Sequence, residues 1–448
     1  MDTSVVTKRN LIPLWVLFSA LTGEISLARE IQMPKYGKEI IPGVMLLTGH
    51  DLKPLQTSFN IPELADPYAT MFDDAVVISG TAQHYLKFRS LDDVRRGGPY
   101  EIGWNKFHYA DGTAMEGGWD LKPALWSSST QDGPRLWNPK TDKLPPMIVW
   151  YGGHRRPNEE NYSRDVFAFA QKDSGKWFSM DDSIFSPRRT WPRAKGNFLG
   201  HRYGHQMVMV PQIKRDGKPH HVPAVFYEEV TEVRENGAPL VTKIFMDEMA
   251  TPFQVKAKPV ELVGVVNPIT GKPYPSAVRE DGAALIEGPL YFRFSFKNEE
   301  WEAVGFSSGS FYANYPSCFA SRKVADGIKG KPYKIDLNDD ASDFNNAAAE
   351  LGKLLNMTGG PGRPAVIVGH NGNAILDEHG MLQVLVHGYR QDILPNPISY
   401  SLDQKFRVMI YANLKIRKGP KGVPRFQIVP RPVFAKKRAD EIISADLN

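Results

Sequence analysis

The chain has 448 residues, enough for one large all-β domain or for two to three domains of average size. Its composition, 42% hydrophobic and 23% charged, argues against disorder, and its formal charge of +5 comes from scattered Lys and Arg residues, which argues against a nucleic-acid partner. An aromatic share of 11% with 38 Gly and 35 Pro is typical of many short strands joined by tight turns.

The N-terminus has the pattern of a secretory signal. Lys8 and Arg9 precede a largely apolar stretch at 11–21, and Ser26-Leu27-Ala28 places small residues where a signal peptidase cleaves. The apolar stretch is shorter than the roughly 20 residues that span a bilayer. We therefore expect a signal peptide at 1–28, a secreted or periplasmic mature chain, and no membrane span in that chain.

Short apolar runs bounded by turn residues predict strands at 75–78, 147–151, 207–210 and 381–386. One Ala-rich segment at 345–355 follows acidic residues and ends before a Gly/Pro cluster, which predicts a short helix inserted between strands. The rest of the chain is predicted to be all-β with long loops.

A repeated unit begins with a polar residue that opens an apolar strand. Its five openings are Asp66, Lys122, His205, Glu287 and His370, and from Lys122 onward they lie 83, 82 and 83 residues apart. Such a long period suits propeller blades with loop insertions, which predicts a single five-bladed β-propeller over 29–448. The innermost strand of each blade lines the channel, so the five openings are expected to converge on one pocket.

Several motifs occur in a telling order. Asp66-Pro67 opens the first strand, Glu287-Gly288-Pro289 precedes an apolar strand, and Gly369-His370-Asn371 opens the fifth unit. Together they resemble glycoside hydrolase family 43 over roughly residues 42–430. The resemblance implies an inverting glycoside hydrolase with Asp66 as general base and Glu287 as general acid.

The chemistry of the residues agrees with this resemblance. Cleaving a glycosidic bond requires one carboxylic acid that protonates the leaving oxygen and one carboxylate that acts on the opposite face of the sugar. Asp66 and Glu287 are the carboxylates among the five openings, and they come from different blades.

The family places a third acidic residue at the start of another inner strand, where this sequence reads Tyr203-Gly204-His205. Because His205 or Gly204 takes that position, we count His205 among the catalytic candidates. Two alternatives stay open: a non-catalytic carbohydrate-binding propeller, and a polysaccharide lyase that uses His205 or His370 with a Tyr on an acidic polysaccharide.

Aromatic and cationic residues near the openings are expected to bind a poly- or oligosaccharide, and the cations admit an anionic one. These residues are Lys122, Trp119, Tyr203, Arg202, His370, Tyr389 and Arg390. No cofactor is required. The resemblance also implies that His370 lies near a structural calcium ion, a cation that prefers oxygen ligands.

Overall fold

The fold is that of a computed structural model, and every structural statement below concerns the residues that it describes. Those residues are 38–41, 44–46, 66–72, 74–80, 82–96, 100–115, 118–129, 133–154, 163–172, 175–180, 182–186, 197–213, 219–263, 283, 285–308, 317–325, 334–335, 366–368, 373–376, 382–390, 407–418, 422 and 424–429. The described chain is almost entirely β-structure, as expected. Its first two strands are β1 (Lys38–Ile41) and β2 (Val44–Leu46).

The first blade is a four-stranded antiparallel meander in chain order. Its elements are β3 (Tyr68–Met71), β4 (Val76–Gly80), β5 (Ala82–Phe88), the helix α1 (Leu91–Arg96) and β6 (Tyr100–Trp104). The helix α1 is not among the elements predicted from sequence. The helix begins after Ser90, whose hydroxyl accepts a hydrogen bond from the Asp93 amide, and acidic residues in its first turn suit a helix N-terminus.

The second and third blades each have five strands. The second contains β7 (Phe107–His108), β8 (Gly118–Trp126), β9 (Met147–His154), β10 (Ser163–Gln171) and β11 (Trp177–Ser179), with β7 parallel to β11. The third contains β12 (Arg202–Ile213), β13 (Pro219–Val233), β14 (Pro239–Thr251), β15 (Gln254–Val255) and β16 (Val260–Val263). Apart from β7, neighbouring strands in both blades run antiparallel.

The fourth blade is again a four-stranded meander, and the remaining strands form one larger sheet. The blade contains β17 (Ile286–Phe296), β18 (Glu299–Ser308), β19 (Ser317–Lys323) and β20 (Lys334–Ile335). The C-terminal sheet joins β1 and β2 to β21 (Val366–Val368), β22 (Asn373–Leu376), β23 (Leu382–Arg390), β24 (Arg407–Lys418) and β25 (Pro424–Val429).

Apolar side chains pack between each sheet and the next. Buried clusters join Tyr85 to Trp150, Tyr151 to Tyr227, Phe226 to Tyr291, and Phe88 to Leu385, while Phe426 of the C-terminal sheet lies 4.5 Å from Phe319, ring centre to ring centre. The first strands also follow one another, with contacts of β3 to β8, β8 to β12, and β12 to β17. The β-propeller prediction is confirmed, with four regular blades among the described strands.

The predicted strands at 75–78, 147–151, 207–210 and 381–386 coincide with β4, β9, β12 and β23. The predicted signal peptide at 1–28 and the predicted helix at 345–355 lie outside the described residues. Within the described segments, no helix is long and apolar enough to cross a membrane.

Candidate active site

Three inner strands begin with the same backbone irregularity. The pairing register shifts between Trp119 and Lys122, between Tyr203 and Gln206, and between Glu287 and Leu290. Within each shift one residue has a left-handed backbone: Asp120 (φ 53°), Gly204 (φ 59°) and Gly288 (φ 64°).

Asp66, just before β3, has the same left-handed conformation (φ 53°). The backbone thus aligns Asp66 with Asp120, Gly204 and Gly288. A left-handed conformation is unfavourable for a residue with a side chain, and such strain concentrates at functional sites. The two Asp residues therefore occupy equivalent, conformationally costly positions in adjacent blades.

Four carboxylates are linked electrostatically through Glu228, near the start of these strands. The ionic state of Glu228 responds to the charges of Glu287, Asp120 and Asp66, and that of Asp120 also responds to Asp66. Asp66, Asp120 and Glu228 are buried, whereas Glu287 is partly exposed. Glu287 is therefore the member of the cluster with most access to a ligand.

Asp120 has a buried cationic neighbour. The Nζ atom of Lys122 lies 2.8 Å from Oδ1 of Asp120 and donates a hydrogen bond to the backbone carbonyl of His205 at 3.0 Å. Burial raises the pKa of Asp120 to about 6, the charge of Lys122 opposes this rise, and the charge of Asp66 adds to it. The positive charge of Lys122 is thus paired with Asp120 inside the protein.

His205 is buried beside this pair. Its Nδ1 atom lies 3.5 Å from Oδ2 of Asp120, and its ring centre lies 6.4 Å from that of Tyr151. Burial lowers the pKa of His205 well below its usual value, and the positive charge of Lys122 lowers it further. The imidazole is accordingly neutral at neutral pH, so it does not act on Glu287 as a cation.

Glu228 comes from β13, the second strand of the third blade, where it pairs with Tyr203 across the sheet. Its Oε2 atom accepts a hydrogen bond from the backbone amide of Gly288, which directly follows Glu287. Burial raises the pKa of Glu228 well above its usual value, the charge of Glu287 raises it further, and the Gly288 amide opposes the rise. The carboxyl group therefore contacts the backbone that positions Glu287.

Polar side chains of the third blade hold the start of β17. Thr242 makes two hydrogen bonds with the backbone of Ile286, one with the carbonyl and one with the amide, each 2.7 Å long. The Gln206 side chain accepts a hydrogen bond from the Tyr291 amide at 2.7 Å. Glu287 therefore lies on backbone that is fixed on both sides.

No protein-family model and no curated protein matches the chain. Among solved structures, it is similar to an α-L-arabinofuranosidase from Lactobacillus brevis, with a TM-score of 0.51 and 13% identity over 84% of this chain and 97% of that one. A GH43_1 enzyme from Xanthomonas citri complexed with xylotriose aligns with a TM-score of 0.40 and 11% identity over 88% of this chain and 96% of that one.

The chain has a glycoside hydrolase family 43-like fold. At such low identity the similarity concerns the fold alone, so the roles of side chains depend on the geometry of this site. In this family 43-like fold, Asp66 and Glu287 lie in the carboxylate cluster where sequence analysis placed them together.

The remaining predicted residues have varied surroundings. Arg202 is buried, with its Nε atom 2.8 Å from Glu229 and its guanidinium 3.5 Å from Asp165, while Tyr203 is half-buried. The side chains of Trp119, Tyr389 and Arg390 are not described, and His370 lies outside the described residues. Their roles in binding, and the calcium ion expected at His370, stay predictions.

Two members of the cluster, Asp120 and Glu228, are not among the site residues predicted from sequence. The sequence around Asp120 could have identified it, because Asp120 precedes an apolar run as Asp66 does, but the start of that strand is predicted at Lys122, two residues later. No local sequence pattern identifies Glu228, since it lies inside a strand and next to a second Glu. The structure therefore corrects the expectation that two carboxylates serve this pocket.

Proposed function

We propose that the protein is a glycoside hydrolase that cleaves a poly- or oligosaccharide in the central cleft of the propeller. The observation that carries this proposal is the cluster of Asp66, Asp120, Glu228 and Glu287, in which each of the four regular blades contributes one carboxylate. Burying several acids together destabilises a fold, so such a cluster is a candidate functional site. Acids with perturbed pKa values are typical of acid–base catalysis.

The partly exposed Glu287 suits the general acid, and Asp66 suits the general base. The proton of Glu287 passes to the glycosidic oxygen as the bond from that oxygen to the anomeric carbon breaks. A water molecule forms the new bond to the anomeric carbon and gives its proton to Asp66. This route inverts the configuration and requires the two carboxyl groups to lie roughly 6.5–9.5 Å apart.

We further propose a neutral sugar as substrate. The cationic candidates near the cluster are paired within the protein, Lys122 with Asp120 and Arg202 with Glu229. The carboxylates leave the cleft with little positive charge to attract an anionic sugar. This revises the expectation from sequence, which counted Lys122 and Arg202 as cations available to a ligand.

The proposal includes closure of the ring by a fifth blade and export of the chain. Contacts of β22 with both β17 and β3 support the C-terminal sheet as that blade, since β22 then occupies the place of an inner strand. Export is proposed from the charged and apolar pattern of residues 1–28. Amino-terminal sequencing of the exported protein checks this, and we expect the mature chain to begin after Ala28.

The test of function is sugar release by the purified protein from a panel of neutral and acidic polysaccharides, with Glu287→Gln beside it. We expect new reducing ends from a neutral substrate, an initial product of inverted configuration by NMR, and loss of release in the variant. Binding without release would favour the carbohydrate-binding alternative and contradict hydrolysis.

The lyase alternative would use His205 as its general base, but this side chain is 1% exposed, as buried as Glu228, which argues against its contact with a sugar. A lyase converts an acidic polysaccharide to an unsaturated product that absorbs in the ultraviolet. Such absorbance, abolished by His205→Ala and retained by Glu287→Gln, would establish elimination in place of hydrolysis.

A further inference from the structure

The left-handed position at the start of the inner strands differs between blades. It carries a carboxylate in the first two, Asp66 and Asp120, and a glycine in the third, Gly204. The space beside Gly204 is nevertheless filled. A Cβ atom on Gly204 would lie 2.8 Å from Oε2 of Glu228 and 2.9 Å from its Cδ atom, closer than real Cβ contacts come.

A carboxylate is therefore present at the third position, but it arrives from a different strand. Glu228 projects from β13 into the space that a side chain on β12 would occupy, and only a residue without a side chain at 204 leaves room for it. The position of the Glu228 side chain thus depends on glycine at residue 204.

The contacts of Glu228 point to Glu287. Glu228 is 1% exposed, too buried to reach a sugar directly. Its carboxylate accepts the Gly288 amide, and Gly288 is the left-handed residue of the bulge that Glu287 opens. The same Gly288 nitrogen would lie 3.3 Å from a Cβ on Gly204, so this space adjoins the backbone of the proposed acid.

We propose that Glu228 is a positioning residue for Glu287, delivering from the second strand of the third blade the carboxylate that the inner strand lacks at Gly204. This inference rests on the proposed function of Glu287 as general acid. Glu228 acts in two ways. It fixes the Gly288 amide, and its carboxyl group titrates together with that of Glu287.

The second effect follows from electrostatics. Two neighbouring carboxyl groups in a buried site resist being ionised together, so the pair retains one proton to a higher pH than a solitary Glu does. Glu287 is the more exposed member of the pair, so the retained proton reaches a leaving group through it. Replacing Glu228 by a residue that cannot ionise but still accepts the Gly288 amide leaves Glu287 to titrate alone, so its proton should be lost at a lower pH than the last proton of the pair.

The primary test is Glu228→Gln, whose amide oxygen still accepts the Gly288 hydrogen bond. We expect the alkaline limb of the pH profile of kcat to move to lower pH, with kcat at pH 7 reduced about 10-fold or more and KM nearly unchanged. The matched control is Glu302→Gln, which removes another buried carboxylate from the second strand of a blade, one bound by Tyr291 and Arg322. The control should leave the alkaline limb in place.

A relocation variant tests the geometry. Gly204→Asp alone should be destabilised by contact with Glu228, whereas Gly204→Asp combined with Glu228→Ala should fold and recover part of the activity and of the alkaline limb lost in Glu228→Ala. Asp66 and Asp120 show that aspartate is accepted in the required backbone conformation.

The proposal is overturned if Glu228→Gln keeps the wild-type alkaline limb. A titration of the side-chain carboxyl carbons by NMR, with Glu287 assigned from the Glu287→Gln variant, separates this failure from that of the proposed function. If the wild-type protein releases no sugar, the Glu287 signal in wild type must still respond to the last proton of the Glu228–Glu287 pair, at a higher pH than it titrates in Glu228→Gln. A Glu287 titration that is the same in both proteins contradicts the inference by itself.

Discussion

The second and third blades place a carboxylate near the start of the inner strand in two different ways. In the second blade the inner strand itself carries the acid, Asp120, at its left-handed position, with Lys122 as its counterion. In the third blade the equivalent residue is Gly204, and the acid, Glu228, comes from the neighbouring strand and accepts a hydrogen bond from the Gly288 amide. A carboxylate can thus keep its place in space while it changes its place in the sequence.

The comparison has an energetic side. A buried carboxylate paired with a lysine is stabilised in its ionised form, whereas one that faces another carboxylate favours retaining a proton. Asp120 and Glu228 therefore differ in what they offer to chemistry, although they lie at equivalent points of adjacent blades.

The largest expected effect separates the acid and the base from the rest of the cluster. Glu287→Gln and Asp66→Asn should each reduce kcat on a natural polysaccharide by roughly 10²–10⁴-fold, because each removes a proton-transfer group. Steady-state sugar release measures this effect, and circular dichroism checks the fold. Equal activity in wild type and either variant would contradict the assignment of that residue.

Lys122→Met removes the counterion of Asp120 in the second blade. It leaves the carboxylate of Asp120 buried without its cation, which should lower the free energy of unfolding by about 3–5 kcal/mol. Loss of the cation raises the pKa of Asp120 beyond its present value of about 6. An acid whose pKa is raised in the folded state loses stability as pH rises, so the defect should be small near pH 4 and grow towards pH 8 in urea melts.

The double variant Asp120→Asn with Lys122→Met is the control for this prediction. It removes both charges, so its stability defect should vary much less with pH. A defect in Lys122→Met that is equal at pH 4 and pH 8 would show that Asp120 and Lys122 are not electrostatically coupled.

In the third blade, Gly204→Asp forces a new side chain into the space that Glu228 occupies. We expect a loss of about 1–3 kcal/mol in the free energy of unfolding, from overpacking against Glu228. Gly133→Asp is a matched control, because Gly133 has a left-handed backbone (φ 80°) with nothing within 4 Å of the position of a Cβ. Equal losses in the two variants would mean that backbone strain, rather than contact with Glu228, explains the defect.

The smallest expected effect concerns stability in Glu228→Gln. Burial and the charge of Glu287 raise the pKa of Glu228 in the folded protein, so wild type loses stability as pH rises through ionisation of this group. The neutral variant avoids this loss and should be about 1 kcal/mol more stable than wild type at pH 8, with little difference at pH 5. Thermal melts at the two pH values measure this, and a variant less stable at pH 8 than at pH 5 relative to wild type would contradict it.

Much of the fold could be predicted from sequence because its signals are local. Short apolar runs and their turn residues located β4, β9, β12 and β23, and the period of the five polar residues that open strands indicated a propeller. The helix α1 was missed because its six residues are too few for helical periodicity to appear.

The site was predictable only in part. Asp66 and Glu287 precede strands beside Pro or Gly residues, so the sequence marks them. Glu228 is marked by nothing local, since its role depends on a strand pairing with Tyr203 and on the absence of a side chain at Gly204. These two conditions depend on the tertiary structure, so they cannot be read from a single sequence.

The central claim is that Glu287 donates the proton to the leaving oxygen, and leaving-group dependence tests it most directly. Wild type, Glu287→Gln and Asp66→Asn would be assayed on the natural polysaccharide and on an aryl glycoside of the same sugar whose acidic phenol leaves without protonation. The account predicts that Glu287→Gln loses most of its activity on the polysaccharide but little on the aryl glycoside, while Asp66→Asn loses activity on both. Equal losses of Glu287→Gln on the two substrates would contradict it.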